Sequence, residues 1–148
     1  MGIASSIVGE AVTVFVVDDD AIDREMVSRS IKDRGLKNPL RFAHHGEEAL
    51  DILRGQNGQE RLRAPYLILL DLNMPRMNGI ELLTEIRADP ALSRSIVVVL
   101  TTSNAERDRF AAYDRHVAGY VLKARAGLEF EHGASLVDHF TRVVEFPN

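Results

Sequence analysis

With 148 residues, 45% of them hydrophobic, the chain is long enough for one ordinary domain with a real core and too short for a second. Its formal net charge of −4, with acidic and basic residues interspersed, gives no basic stripe of the kind duplex DNA or RNA demands, so no direct nucleic-acid partner is expected. The chain has no cysteine, which excludes a disulfide framework, a thiolate metal site and a thiol nucleophile, and fits a reducing cytosol.

Residues 1–11 lack the basic start and apolar centre of a secretory signal. No apolar run approaches the roughly 18 residues of a membrane span. A soluble cytoplasmic protein is therefore expected, with residues 1–11 as an N-terminal extension, a single domain over 12–146 and a tail at 147–148.

Val12-Thr-Val-Phe-Val-Val17 is a β-branched run ending in Asp18-Asp19-Asp20, which predicts a buried strand with carboxylates at its carboxyl end. Beyond it the period changes. Ile22, Met26, Val27 and Ile31 recur at helical spacing, with Asp20 as N-cap and Gly35 as stop. Leu40-Arg-Phe-Ala43 reads as a shorter strand, and Ala49, Leu50 and Leu53 give a short amphipathic helix between Gly46 and Gly55. His44 and His45 lie between these two as surface or loop residues, with no further ligands at metal-site spacing. The polar connection from Gly55 to Pro65 exceeds the usual helix-to-strand loop; the sequence leaves it open as an insertion, a helix tail or a contact surface.

Tyr66-Leu-Ile-Leu-Leu70 is too short for an independent helix and reads as a strand buried on both faces, with Asp71 directly after it. Pro75 and Gly79 break the backbone beyond, so Asp71 is expected to project into a loop-lined crevice. Ile80, Leu82, Leu83 and Ile86 predict a helix stopped by Asp89-Pro90. Ile96-Val-Val-Val-Leu100 is the next buried strand, followed by Thr101-Thr102-Ser103. Ser103 with Glu106 predicts a capping box for a helix carrying Phe110, Ala111 and Tyr113. Gly119-Tyr-Val-Leu122 is a fifth strand ending at Lys123, and Leu136, Val137, Phe140, Val143 and Val144 give the stripe of a closing helix.

Five strands alternating with five helices predict an α/β domain, a parallel sheet covered on both faces, whose ligands bind outside the carboxyl ends of the strands. Four of those ends carry polar residues: Asp18 to Asp20, Asp71, Thr101 to Ser103, and Lys123. Taken singly, each has an ordinary reading as a helix cap, a turn residue or a solvated side chain. Taken together they describe a site. Crowded carboxylates repel unless a cation intervenes, and an all-oxygen set suits a hard divalent ion, Mg²⁺ above all. A lysine and a hydroxyl opposite such a cluster suit phosphoryl oxygens, with Asp71 as the nucleophile.

In these residues the chain resembles the receiver domains of two-component response regulators, from about Val12 to about Phe146. The resemblance implies a flavodoxin-like (βα)5 fold of strand order 2-1-3-4-5, for which the handling of a ligand at the strand-order reversal is a general rule. It implies Asp19 as a direct Mg²⁺ ligand, Asp18 acting through water, and Asn73 supplying a backbone carbonyl to the same ion. Asp71 matches the phosphoacceptor, Thr101 the switch hydroxyl, Tyr120 the aromatic that changes rotamer with it, and Lys123 the lysine that pairs with the phosphoryl group. Two positions depart from the commonest pattern. Ala124 follows Lys123 where most receivers carry a proline in a cis peptide, and Ser95 stands where many carry proline; a trans Lys123–Ala124 bond is expected. The Gly55 to Pro65 connection, Leu100-Thr-Thr-Ser103 and an end soon after the last helix resemble the single-domain regulators paired with bacterial phytochrome kinases.

The implied function is a phosphoacceptor for a sensor histidine kinase, of the bacteriophytochrome kind by the softer resemblance, and not a dedicated turnover enzyme. With no output domain expected, signalling would run through interactions, including a homodimer formed through the C-terminal half. The rival is a haloacid-dehalogenase-like, Mg²⁺-dependent phosphohydrolase with Asp18 as nucleophile, because Asp18-Asp19-Asp20 imitates that family's Asp-x-Asp. Against it, Ile22 stands where that family has a hydroxyl residue, and no acidic pair follows Lys123.

Overall fold

The structure, a computed structural model, describes residues 11–123 together with Asp138 and Phe146. Five parallel strands, β1 (Thr13–Val17), β2 (Leu40–Ala43), β3 (Tyr66–Leu70), β4 (Ile96–Thr101) and β5 (Gly119–Leu122), form one sheet in the order β2-β1-β3-β4-β5. Four helices connect them: α1 (Ala21–Asp33), α2 (Gly46–Arg54), α3 (Gly79–Ala88) and α4 (Glu106–Asp114). This is the flavodoxin-like order expected. The stripe from Leu136 to Val144 and the Lys123–Ala124 bond lie outside the described residues.

The continuous apolar runs are explained by two cores, one on each face. Because side chains alternate along a strand, Phe15, Val17, Ile68, Leu70, Val97 and Val99 face one side, where they pack with Leu50, Leu53, Leu82, Leu83 and Ile86 of α2 and α3. Val14, Val16, Leu67, Leu69, Val98 and Leu100 face the other, against Val27 and Ile31 of α1 and against Phe146. Each fully buried Leu, Ile or Phe contributes about 1.5–3 kcal/mol relative to exposure, so the central strands form a rigid floor under their carboxyl-terminal loops.

The caps follow the sequence in part. Asp20 caps α1 by accepting from the Ile22 N–H at 2.8 Å, and Gly35, at φ +74°, ends it. His45 is more than a loop residue: its Nδ1 accepts from the Glu48 N–H at 3.1 Å and caps α2. The Gly55 to Pro65 connection is not a helix tail, because Gly55 terminates α2 in the left-handed region and Leu62 turns back to bury itself, its N–H donating to Ile52 O.

The capping box at Ser103 and Glu106 does not form. Helix α4 begins at Glu106, so Ala105, which has no side-chain acceptor, is the N-cap. The Ser103 hydroxyl instead donates to Asp108 Oδ2 at 2.5 Å. A capping box does form where none is expected, between Asn78 and Glu81 at the start of α3. Phe110 and Tyr113 do not face the core either: they are 64% and 50% exposed, and Ala112 is the buried residue of α4. Ile22, the first member of the α1 stripe, is also exposed.

Two contacts brace the loops. Arg87, on α3, donates to four carbonyls, those of Arg115, Ser93, Ser95 and His116, and so ties α3 to both ends of the β4–α4 unit. Burial pushes its guanidinium pKa down. Gly79 opens α3 as its first residue rather than breaking the chain, and it lies against the loop that carries Asp71. A Cβ there would sit 2.5 Å from Asp71 O and 2.7 Å from Leu72 Cα, both backbone atoms that cannot swing aside. Gly79→Ala is therefore expected to lose about 1–3 kcal/mol, the usual cost of overpacking, read as a lower urea midpoint with an unchanged slope.

Candidate functional site

Strand register assembles the site. Val17 of β1 pairs with Leu70 of β3, so the next residues, Asp18 and Asp71, emerge side by side. Thr101 ends β4 opposite Leu122 of β5, which brings Lys123 one step further along the same edge. The chain leaves β1 for β2 on one side, while β3 lies on the other, so the β1/β3 boundary is the topological switch point where open α/β sheets hold ligands. Asp18, Asp71, Thr101 and Lys123 are all buried polar residues, whereas Asp19 is exposed at the rim.

The Lys123 ammonium is the hub. Its Nζ donates to Asp18 Oδ2 at 2.5 Å and to Asp23 Oδ2 at 2.8 Å, and it stands 3.5 Å from Asp71 Oδ2. The other oxygens are occupied by backbone: Asp18 Oδ1 accepts from the Asp20 N–H at 3.0 Å, and Asp71 Oδ1 from the Asn73 N–H at 3.2 Å. Thr101 Oγ1 accepts from the Ser103 N–H, and the Asn73 side chain donates to Thr102 Oγ1. Tyr120 is half-buried, with its hydroxyl donating to Ser103 O at 2.9 Å. Among the described residues no buried side-chain polar atom lacks a partner.

Burial dominates the titration of both inner carboxyls. It raises Asp18 to about 6 against the opposing pull of Lys123. It also raises Asp71, opposed by the Lys123 charge, the Asn73 N–H and the Thr101 hydroxyl, and reinforced by Asp19. Lys123 is pushed down by its own burial, but its hydrogen bonds to Asp18 and Asp23 and the charge of Asp71 outweigh this, and its pKa rises.

One carboxylate oxygen from each of Asp18, Asp19 and Asp71 lies within 4.8 Å of the others. Three hard oxygen donors gathered at a crevice mouth, two of them held against a desolvation cost, fit a hard divalent cation. The sequence-predicted residues Asp18, Asp19, Asp71, Thr101 and Lys123 thus meet at one edge, with Asn73 bonded to Asp71 and Tyr120 bonded to Ser103 in the loop after Thr101. Asp23 joins them at Lys123 without a sequence signal for that role. In the sequence it is one more acidic residue in the first turn of a helix, a position the helix dipole explains unaided. The Asp18-nucleophile reading gains no support: Asp18 Oδ2 is the oxygen that the Lys123 ammonium holds most closely, at 2.5 Å, whereas Asp71 Oδ2 stands 3.5 Å from it.

A parallel sheet of this order, with carboxylates and a lysine at its switch point, defines a flavodoxin-like receiver. The model of the response regulator receiver domain matches residues 14–130, and the chain belongs to that family. It is 39% identical over 112 residues to the response regulator Rcp1 of Synechocystis, covering 76% of each chain. Among solved structures it is similar to the phosphorylated cyanobacterial phytochrome response regulator RcpA, with a TM-score of 0.84 and 32% identity over 93% of this chain and 99% of that one. The Mn²⁺-bound form of Rcp1 gives 0.82 and 34%, over 92% and 99%. The chain is accordingly a response regulator of a two-component system, a class that accepts a phosphoryl group from a histidine kinase and binds a divalent cation at an acidic pocket. No helix among the described residues is long and apolar enough to cross a membrane.

Lys123→Met removes the one ammonium shared by three carboxylates. In chelator this variant is expected to lose about 3 kcal/mol, the usual cost of leaving buried charge unpaired, and added Mg²⁺ should return part of it. Urea unfolding with and without Mg²⁺ measures both.

Proposed function

We propose that Asp71 is the phosphoacceptor and that residues 12–146 form the receiver unit, with 1–11 as an extension and 147–148 as a tail. The observation that carries this reading is the position of Asp71: at the switch point, 3.5 Å from the Lys123 ammonium and within the Asp18–Asp19–Asp71 cluster. An Asp71 oxygen attacks phosphorus, the bond from phosphorus to the kinase's histidine nitrogen breaks, and the imidazole leaves with the electron pair. Lys123 donates to a phosphoryl oxygen and Thr101 offers its hydroxyl to another, both stabilising charge that spreads onto those oxygens. Asp18, Asp19, Asp71 and the Asn73 carbonyl would hold Mg²⁺, which when bound neutralises carboxylate and phosphoryl charge together. Water returns the protein to its resting state by cleaving the acyl phosphate, slowly, so the chain is a switch and not a dedicated turnover enzyme.

Switching is a shift between two populations. Thr101 moves toward the phosphoryl group, and Tyr120 exchanges its bond to Ser103 O for an inward rotamer. That bond is worth only about 0.5–1.5 kcal/mol net, so a modest preference at the site reverses it. The surface of α4, where Phe110 and Tyr113 stand exposed, changes with it.

The partner is a cytoplasmic sensor histidine kinase, of the bacteriophytochrome class by likeness to RcpA and Rcp1. The output is a protein contact and not direct DNA binding. We further propose a homodimer through the C-terminal half, supported by the two exposed aromatics of α4.

Incubation with an autophosphorylated phytochrome kinase tests the first reading: label should move to the wild type and not to Asp71→Asn, and a labelled Asp71→Asn would overturn it. Sedimentation at micromolar concentration, with and without beryllofluoride, should give a dimer in at least one state. A monomer in both removes the self-association.

A further inference from the structure

The Lys123 ammonium has three hydrogens, and their allocation is uneven. Asp18 and Asp23 take it at 2.5 and 2.8 Å, while Asp71 stands off at 3.5 Å. Asp23 does not belong to the carboxylates grouped for a cation, which are Asp18, Asp19 and Asp71. It lies in the first turn of α1, and its own N–H already meets the Asp20 cap. A carboxylate in that turn gains the helix dipole equally well when it points into solvent. Its side chain is instead only 29% exposed and reaches a lysine a hundred positions away.

The two partners of Lys123 have different obligations. Asp18 has a second task as a donor for the cation, and when it serves there its claim on the lysine weakens. Asp23 has no such task. A phosphoryl group on Asp71 would bring new anionic oxygens to an ammonium that Asp23 still holds. We propose that Asp23 is a positioning residue that holds the Lys123 ammonium toward α1 and competes for it with a phosphoryl group on Asp71. The inference rests on Asp71 as phosphoacceptor. Its consequence is that the Asp23 charge lowers the stability of the phosphorylated state relative to the resting one, and so sets how readily the switch is thrown.

Calorimetric titration of the full chain with beryllofluoride in Mg²⁺ tests it. Asp23→Asn should bind about three- to tenfold tighter than wild type, the range for losing one competing, partly exposed charged hydrogen bond. Asp23→Glu, which restores the charge, should return to the wild-type affinity, and Mg²⁺ affinity without beryllofluoride should not change. Asp23→Ser, a short neutral side chain suited to a first helical turn, repeats the test should the asparagine variant fold poorly. A merely structural Asp23 would lose binding and stability together, the opposite sign. Binding by the neutral variants equal to or weaker than wild type overturns the inference while the acceptor reading stands. Wild-type protein that does not bind beryllofluoride, or Asp71→Asn that binds it as well, overturns both.

Discussion

The site depends on one ammonium held among carboxylates that water reaches poorly. Lys123 has a side chain 7% exposed, and those of Asp18 and Asp71 are 3% and 6% exposed. At such depth the Coulombic gain of a pair and the cost of desolvating its members are both large and nearly cancel. The cluster is therefore poor ballast for the fold. With Asp18 raised to about 6 and Asp71 raised as well, the carboxyls are under-compensated by a single lysine. A group of this kind is pulled toward additional positive charge and is sensitive to added negative charge, the two properties that a metal-assisted phosphoacceptor requires.

The carboxylates cannot separate to relieve their repulsion, because the strands beneath them are locked by two apolar cores. The paired ends at Val17 and Leu70 fix Asp18 beside Asp71, and the Asp71 N–H is itself bonded to Val17 O. Behind Asp71, the close approach of Gly79 to the Asp71 and Leu72 backbone clamps the loop from the other side. Stability invested in hydrophobic packing thus maintains an electrostatic arrangement that contributes little stability of its own.

Most of this was legible in the sequence because it follows from short-range patterns. Strand ends are marked by the last β-branched or leucine residue before a polar one, and in an in-register parallel sheet those ends must lie along one edge, so Asp18, Asp71, Thr101 and Lys123 could be grouped without coordinates. What the sequence does not carry depends on the rotational setting of a helix or on a side chain's choice among several partners. Phe110 and Tyr113 show that hydrophobicity in the sequence does not equal burial, since Ala112 is the residue of α4 that packs. Ser103 matches a capping-box pattern, but α4 starts too late for it and its hydroxyl goes to Asp108. Asp23 carried no sequence signal separable from the ordinary acidity of a helix start.

The same misplaced cap bears on how a signal leaves the site. Helix α2 buries five residues, Gly46, Ala49, Leu50, Ile52 and Leu53, and has a side-chain cap, whereas α4 buries only Ala112 and has none. An element with so little buried surface and an open N-terminus belongs to the low-stability end of the molecule. It is tethered to the site by Ser103, whose hydroxyl bonds Asp108 within α4, whose carbonyl accepts Tyr120, and whose N–H bonds Thr101. In the proposed switch, a pull on Thr101 reaches Ser103 and through it Asp108 and Tyr120, beside the helix with the fewest buried residues of the four described. A small free-energy difference at Asp71 can then move α4 because little opposes it there, while the sheet is held by apolar packing on both faces.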